Sequence, residues 1–185
     1  MDTILNCRKC SLCKTQLPFM DPNSEADIML VGISAKIKKY KDEIPLDNRT
    51  RSGKLVEQMA VTAQRQGFKI YRTNLVKCPP TGGDGKLRYP DEIEIAGCFE
   101  HILKEIEIVD PKLIVLLGNI VVKTIQKRWK LMPETDGTTS FLTYKYGGRT
   151  FAASFHPSYV LRSAKRTEDY LHDYEQLIIS MKERI

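Results

Sequence analysis

Five cysteines and one histidine at the end of an apolar stretch are the residues whose types and spacing could do chemistry. The cysteines are Cys7, Cys10, Cys13, Cys78 and Cys98, three of them inside "CRKCSLC". A C-x-x-C pair clamps one metal centre from a single turn, and two distant thiolates complete four-sulfur ligation. Zinc and a [4Fe–4S] cluster both accept four thiolates. The spacing names neither the metal nor the spare cysteine, and the blander alternative is five thiols with no metal at all. That alternative is disfavoured, because three cysteines crowd a short terminus with little capacity to fold unaided. The histidine is His156, in "ASFHPSYVLR". Alone it reads as a hydrogen-bonded structural group, so its meaning depends on what else reaches the same place.

The elements that must position these residues follow from periodicity. "ADIMLVGI" (26–33) and "PKLIVLLGN" (111–119) are apolar runs closed by glycine, as buried strands are. "KIYRTNLVK" (69–77) alternates like a strand and runs into Cys78. "SGKLVEQMAVTAQRQG" (52–67) has a serine start, helical apolar spacing and a glycine stop. Residues 89–110 open with proline and acids and then carry apolar residues at helical intervals. "NIVVKTIQKRW" reads as a short helix. "FLTYKYGGRTFAASF" (141–155) is a hairpin around Gly147-Gly148, and Thr167 to Ile185 is an amphipathic helix. "PPTGGDGKLRYP" (79–90) is a loop within the domain.

Strand and helix in alternation predict an α/β fold, a three-layer α/β/α sandwich with a mainly parallel central sheet. Such sheets bind ligands in the crevice at the carboxyl ends of their strands. Three segments end there: Gly32-Ile33-Ser34-Ala35, Thr73-Asn74 and His156-Pro157-Ser158. His156 is therefore expected to share a crevice with Asn74 and the loop after Val31.

The 185 residues are enough for one domain with its own core, and no linker or internal repeat divides them. No apolar run spans a bilayer, and the start "MDTILNCRKC" has no signal-peptide core, so an intracellular, cytoplasmic protein is expected, nucleoid-associated if prokaryotic. Cysteines in such a chain favour metal or redox chemistry over disulfides. The formal charge is +6 and the pI about 9.0. That balance is compatible with a polyanionic partner and makes nucleic acid the favoured one, without requiring it. Lys123, Lys127, Arg128 and Lys130 read as a solvated helix face. A monomer is expected.

Taken in order, "NCRKCSLC", "DIMLVG", "SGKLVEQM", "YRTNLVKCPP", Cys98, "PKLIVLLG" and "FHPSYVLR" resemble the uracil-DNA glycosylase superfamily, most of all its iron–sulfur family 4. The resemblance runs from about Cys7 to Arg162. It implies that Cys7, Cys10, Cys78 and Cys98 hold a structural [4Fe–4S] cluster, with Cys13 the extra and zinc the alternative. It implies an enzyme that flips a nucleotide into a pocket and hydrolyses its N-glycosidic bond. On that reading His156 stabilises the departing base as charge develops, and Asn74 reads the base edge with one donor and one acceptor. Gly32 belongs to the same base pocket, Pro157 and Ser158 press the DNA backbone, and Arg162 reaches a phosphate. Asn74 has a duller rival role, closing a turn.

The pattern also breaks. The family's first motif reads Gly-Glu-(Ala or Gly)-Pro-Gly, where this chain has "GISAK": Ile33 replaces the acid and Lys36 the last glycine. Its Pro-Phe-Val-Gly segment, whose ring stacks on uracil, corresponds to "LDNRTRSG", with Asn48 near the ring position. The arginine that usually follows the cysteine of "KCPP" is also missing. Asp42, Glu43 and Asp47 are the candidate substitute acids, and a polar pocket would suit another base. Two readings follow: a DNA glycosylase acting on uracil or another deaminated or modified base, and a weakly active or non-catalytic iron–sulfur DNA-binding protein on that scaffold. A zinc protein of unrelated function fits only the cysteines and the charge.

Overall fold

The computed structural model describes residues 2–14, 18–131, 133–134 and 140–183. A six-stranded sheet in the order β2-β1-β3-β6-β5-β4 forms its middle layer. The strands are β1 (Ile28–Ser34), β2 (Ile70–Val76), β3 (Leu113–Leu117), β4 (Pro133–Glu134), β5 (Phe141–Tyr146) and β6 (Arg149–Ser154). β2, β1, β3 and β6 are mutually parallel, while β5 and β4 are antiparallel additions at one side. The helices are α1 (Asp2–Leu5), α2 (Arg51–Arg65), α3 (Glu92–Val109), α4 (Asn119–Trp129), α5 (Pro157–Val160) and α6 (Ala164–Lys182).

The three layers come directly from strand alternation. Ile28 and Leu30 of β1 and Leu113, Val115 and Leu117 of β3 face α2, α5 and α6, where Leu55, Met59, Tyr170 and Tyr174 meet them. Met29, Val31, Ile114 and Leu116 face the other way, onto Phe99, Ile102 and Ile106 of α3 and Val121 and Ile125 of α4. Side chains on successive strand residues point to opposite faces, so a run that is apolar throughout must be covered on both sides. This is the α/β/α sandwich expected from the sequence.

Local chemistry sets the element ends. Helix α2 starts one residue earlier than its serine suggests: Thr50 is the N-cap, its hydroxyl accepting from Gly53 N at 2.9 Å, and Ser52 lies inside the first turn. Helix α3 opens on a capping box between Asp91 and Glu94. Gly147 and Gly148 both take positive φ (57° and 76°), which the two-residue hairpin turn between β5 and β6 requires. Helix α6 begins a turn before Thr167, capped by Ser163, and residues 184–185 at its expected end lie outside the described residues.

Strand β2 differs from its expected alternation: six of its seven residues are buried although it is an edge strand. The segment before β1 covers that edge. Phe19 N donates to Lys77 O at 2.9 Å, and Arg72 N donates to Asp21 Oδ2 at 3.1 Å. These bonds cover part of the edge that β2 would otherwise present. No helix among the described residues is long and apolar enough to cross a membrane.

Candidate active site

The four parallel strands end on one side of the sheet, and the loops leaving them frame a crevice. Gly32 and Asn74 sit inside β1 and β2 near their carboxyl ends, not in loops after them, and they are direct register partners. A Cβ on Gly32 would stand 2.5 Å from Asn74 Oδ1 and 2.9 Å from Leu46 Cδ2. The glycine is thus what lets the Asn74 amide lie across the neighbouring strand. Asn74 is buried, and its Oδ1 has no hydrogen-bond partner. A buried polar atom left unpaired costs about 1–3 kcal/mol, which a polar ligand would recover. The residue ends no turn, so its duller role is not the one it plays.

His156 follows β6 and is the N-cap of α5, with Pro157 in the first helical position. The Ser158 backbone N–H lies 3.2 Å from His156 Nδ1, and Ser158 Oγ lies 2.8 Å from the same atom. A backbone N–H can only donate, so Nδ1 is an acceptor and the neutral ring carries its proton on Nε2. Although His156 is exposed at the crevice mouth, protein crowding desolvates the ring and lowers its pKa below the ordinary 6.5. Behind it, Gly118 has φ +101°, and a Cβ there would come within 3.1 Å of His156 Cβ. The imidazole is a neutral Nε2–H donor held in one orientation.

His156 and Asn74 line one cavity of about 300 Å³, with Phe19, Leu46, Asp47 and Ser52 among the other walls. Phe19 is the aromatic ring of this cavity; it is buried, and Lys38 Nζ lies 4.9 Å from its centroid. Sequence reading missed it, because "LPFMD" has no periodicity and gains its place only by covering the edge of β2. Asn48 is exposed and is not among the lining residues; Pro45, Leu46 and Asp47 are what that segment contributes. Ile33 lines a separate hollow of about 220 Å³ with His156, Tyr89 and Gly118.

Outside the crevice, Pro157 is buried while Ser158 and Arg162 are exposed. Arg162 and Arg166 lie 5.5 and 4.5 Å from the Tyr159 ring, which contacts Phe155 at 5.2 Å. Two cations and two exposed aromatic rings therefore flank His156. Arg166 and Phe155 were not singled out in the sequence; Arg162 lies in the turn between α5 and α6, so no single helical period joined these residues. Lys123, Lys127 and Arg128 are exposed on α4, as expected of a solvated face.

The cysteines converge just past the carboxyl end of β2. Cys78 and Cys98 are buried with Leu12 and Val76, and Cys10 packs against them. Burial, together with neighbouring Cys98, Cys10, Cys7 and Cys13, pushes the Cys78 thiol up to about 12. Burial raises Cys98 as well, against the pull of Lys77. Cys78 thus lies close enough to the other four cysteines to feel their charge. His101 Nε2 lies 3.0 Å from Cys7 Sγ. Among the described residues no group of three or more His, Cys, Asp or Glu is gathered to hold a metal ion. Thiols raised in this way become thiolates only beside positive charge, which a sulfur-ligated metal centre would supply.

Lys77 connects the two regions. It is fully buried, paired with Glu105, and its Nζ donates 2.7 Å bonds to Thr73 Oγ1 and Asn74 O. Burial pulls the Lys77 pKa down, and Glu105 opposes that pull.

A doubly wound sheet with a histidine and an amide converging at its carboxyl edge defines a class of ligand-binding α/β proteins. The family model of the uracil DNA glycosylase superfamily matches residues 18–178. The chain belongs to that superfamily. It is 27% identical over 181 residues to the type-4 uracil-DNA glycosylase of Archaeoglobus fulgidus, covering 94% of this chain and 87% of the relative. It is 25% identical over 185 residues to the type-4 enzyme of Sulfurisphaera tokodaii, covering 95% and 80%. With the type-4 enzyme of Thermotoga maritima it is 27% identical over 163 residues, covering 84% and 80%.

Proposed function

We propose that this protein is a single-domain DNA glycosylase that hydrolyses the N-glycosidic bond of uracil or another deaminated or modified base in DNA. One observation carries the reading: a buried amide with an unpartnered oxygen and a fixed neutral N–H donor line the same cavity. The relatives' activity supports it.

Flipping delivers the base into the cavity. Asn74 offers its amide edge to the base, where an imide such as uracil presents one donor and one acceptor. As the C1′–N bond breaks, negative charge grows on the base, and His156 Nε2–H hydrogen-bonds the carbonyl oxygen that receives it. A neutral donor suits this task, because it leaves the base an anion stabilised by a hydrogen bond. Phe19 and Leu46 wall the cavity for the flat face of the base. Ser158, Arg162 and Arg166 meet the phosphates on either side, with Pro157 setting the turn that presents them.

Cys7, Cys10, Cys78 and Cys98 would hold a [4Fe–4S] cluster, which supplies a structural cross-link and no step of the hydrolysis; zinc is the alternative occupant. The test is release of free base from oligonucleotides carrying uracil, hypoxanthine or xanthine. Release from at least one is expected. Ile33, half-buried where an acid would stand, favours one other reading, a scaffold that binds DNA without cleaving it. Tight DNA binding with no base release from any substrate selects that reading instead.

A further inference from the structure

Strand β1 ends on Gly32-Ile33-Ser34 and carries no carboxylate, yet hydrolysis of a glycosidic bond benefits from one beside the sugar. Three carboxylates in the loop between β1 and α2 could supply it, and their surroundings differ. The Asp42 side chain is 71% exposed and pairs with Arg49, away from the cavity of His156 and Asn74. Glu43 is buried with both oxygens occupied: Lys36 Nζ binds Oε1 and Lys39 N binds Oε2, each at 3.1 Å. Asp47 is the carboxylate among the residues lining that cavity.

Asp47 is also held in place. Its carbonyl accepts from Thr50 N and Thr50 Oγ1, both at 3.1 Å. A Cβ on Gly53 would stand 1.8 Å from that carbonyl oxygen, so only glycine lets the start of α2 close onto it. The side chain is 7% exposed, and its hydrogen bond goes to one oxygen: Arg49 N donates to Oδ1 at 2.9 Å, with Arg49 Nε 3.7 Å from the same atom. Among the described residues Oδ2 takes no hydrogen bond. The turn therefore uses one oxygen and leaves the other for a ligand.

We infer that Asp47 is the carboxylate that activates water and faces the sugar cation in this site, a role that Ile33 at the end of β1 cannot fill. This rests on the glycosylase reading above. The C1′–N bond breaks with its electron pair leaving on the base, which His156 stabilises. The Asp47 carboxylate offsets the positive charge developing on C1′ and the ring oxygen. A water oxygen donates an electron pair to C1′, and its proton passes to Asp47 and then to the departing base anion. One water is consumed, and a free base and an abasic deoxyribose are formed, with no further reactant.

The competing role is purely structural, since an acceptor bonded to a backbone N–H two residues on is a common turn. Asparagine keeps that acceptor and loses the charge. The test uses the full chain and single-turnover base release from whichever deaminated-base DNA the native protein cleaves. Asp47→Asn is expected to slow release by about 100-fold or more, the scale of a positioned general base, with DNA affinity and melting temperature unchanged. Asp47→Ala is expected to regain rate when sodium formate is added, which a turn-forming role would not allow. Asp42→Asn is expected to match the native rate. Native base release with an equally active Asp47→Asn overturns the inference and leaves the glycosylase reading standing. A loss in both Asp47 variants that formate leaves untouched assigns the residue to the turn and also overturns it. A native protein that releases no base overturns both.

Discussion

The proton of neutral His156 sits on Nε2 because Ser158 N can only donate to Nδ1. His156→Ala is expected to lower base release by about 100-fold, the cost of one donor to a developing anion, in single-turnover assays. Its pKa is depressed by desolvation from 6.5. The folded state thus binds fewer protons than the unfolded chain in the window below 6.5. The stability this contributes is fully present above the unfolded value and is lost as pH falls through that window. Urea unfolding at about pH 7.5 and about pH 5.5 is expected to show a smaller acid loss in His156→Gln than in the native protein. Asn74→Asp, which swaps a donor-plus-acceptor amide for an acceptor, is expected to shift base choice, read as the ratio of uracil to hypoxanthine released. Gly32→Ala forces a methyl into Asn74 and Leu46, and is expected to reduce release of every base alike.

At the scale of elements, the start of α2 fixes one wall of the cavity. Thr50→Ala removes the N-cap and a bond to the Asp47 carbonyl, and is expected to cost about 1 kcal/mol in urea unfolding. How much of this was legible in the sequence depended on periodicity. β1 and β3 announce themselves as apolar runs because both faces of the sheet are covered, and Gly32, Asn74 and His156 lie where β1, β2 and β6 run out. The carboxyl-edge crevice was therefore readable. Residues 36–49 have no period, so the sequence could neither choose among Asp42, Glu43 and Asp47 nor see that Leu46, and not Asn48, lines the cavity. Phe19 was hidden for a different reason. Its position depends on a backbone bond to Lys77, 58 positions away, which no local pattern encodes. The early start of α2 was a contest between two hydroxyl residues, and the Thr50 geometry won.

Across the whole molecule, the cysteine cluster and the crevice are opposite ends of one brace, Lys77 reaching Glu105 and the Asn74 carbonyl while its chain neighbour is Cys78. Protein prepared without air is expected to be brown, with about four irons per chain. Cys7→Ala, Cys10→Ala, Cys78→Ala and Cys98→Ala are each expected to bleach the visible absorption, and Cys13→Ala to retain it. A colourless protein with one zinc would remove the cluster. With a net charge of +6 and exposed Arg162 flanking the crevice, DNA affinity is expected to fall steeply with salt in a fluorescence titration. The most direct measurement of the central claim is the time course of free base released from uracil-containing DNA by the native protein beside His156→Gln, with hypoxanthine and xanthine substrates in parallel. Release from at least one substrate, slowed about 100-fold by the substitution at unchanged DNA affinity, is the expected result. No release from any substrate by a folded protein that binds DNA, or release that His156→Gln leaves unchanged, would contradict it.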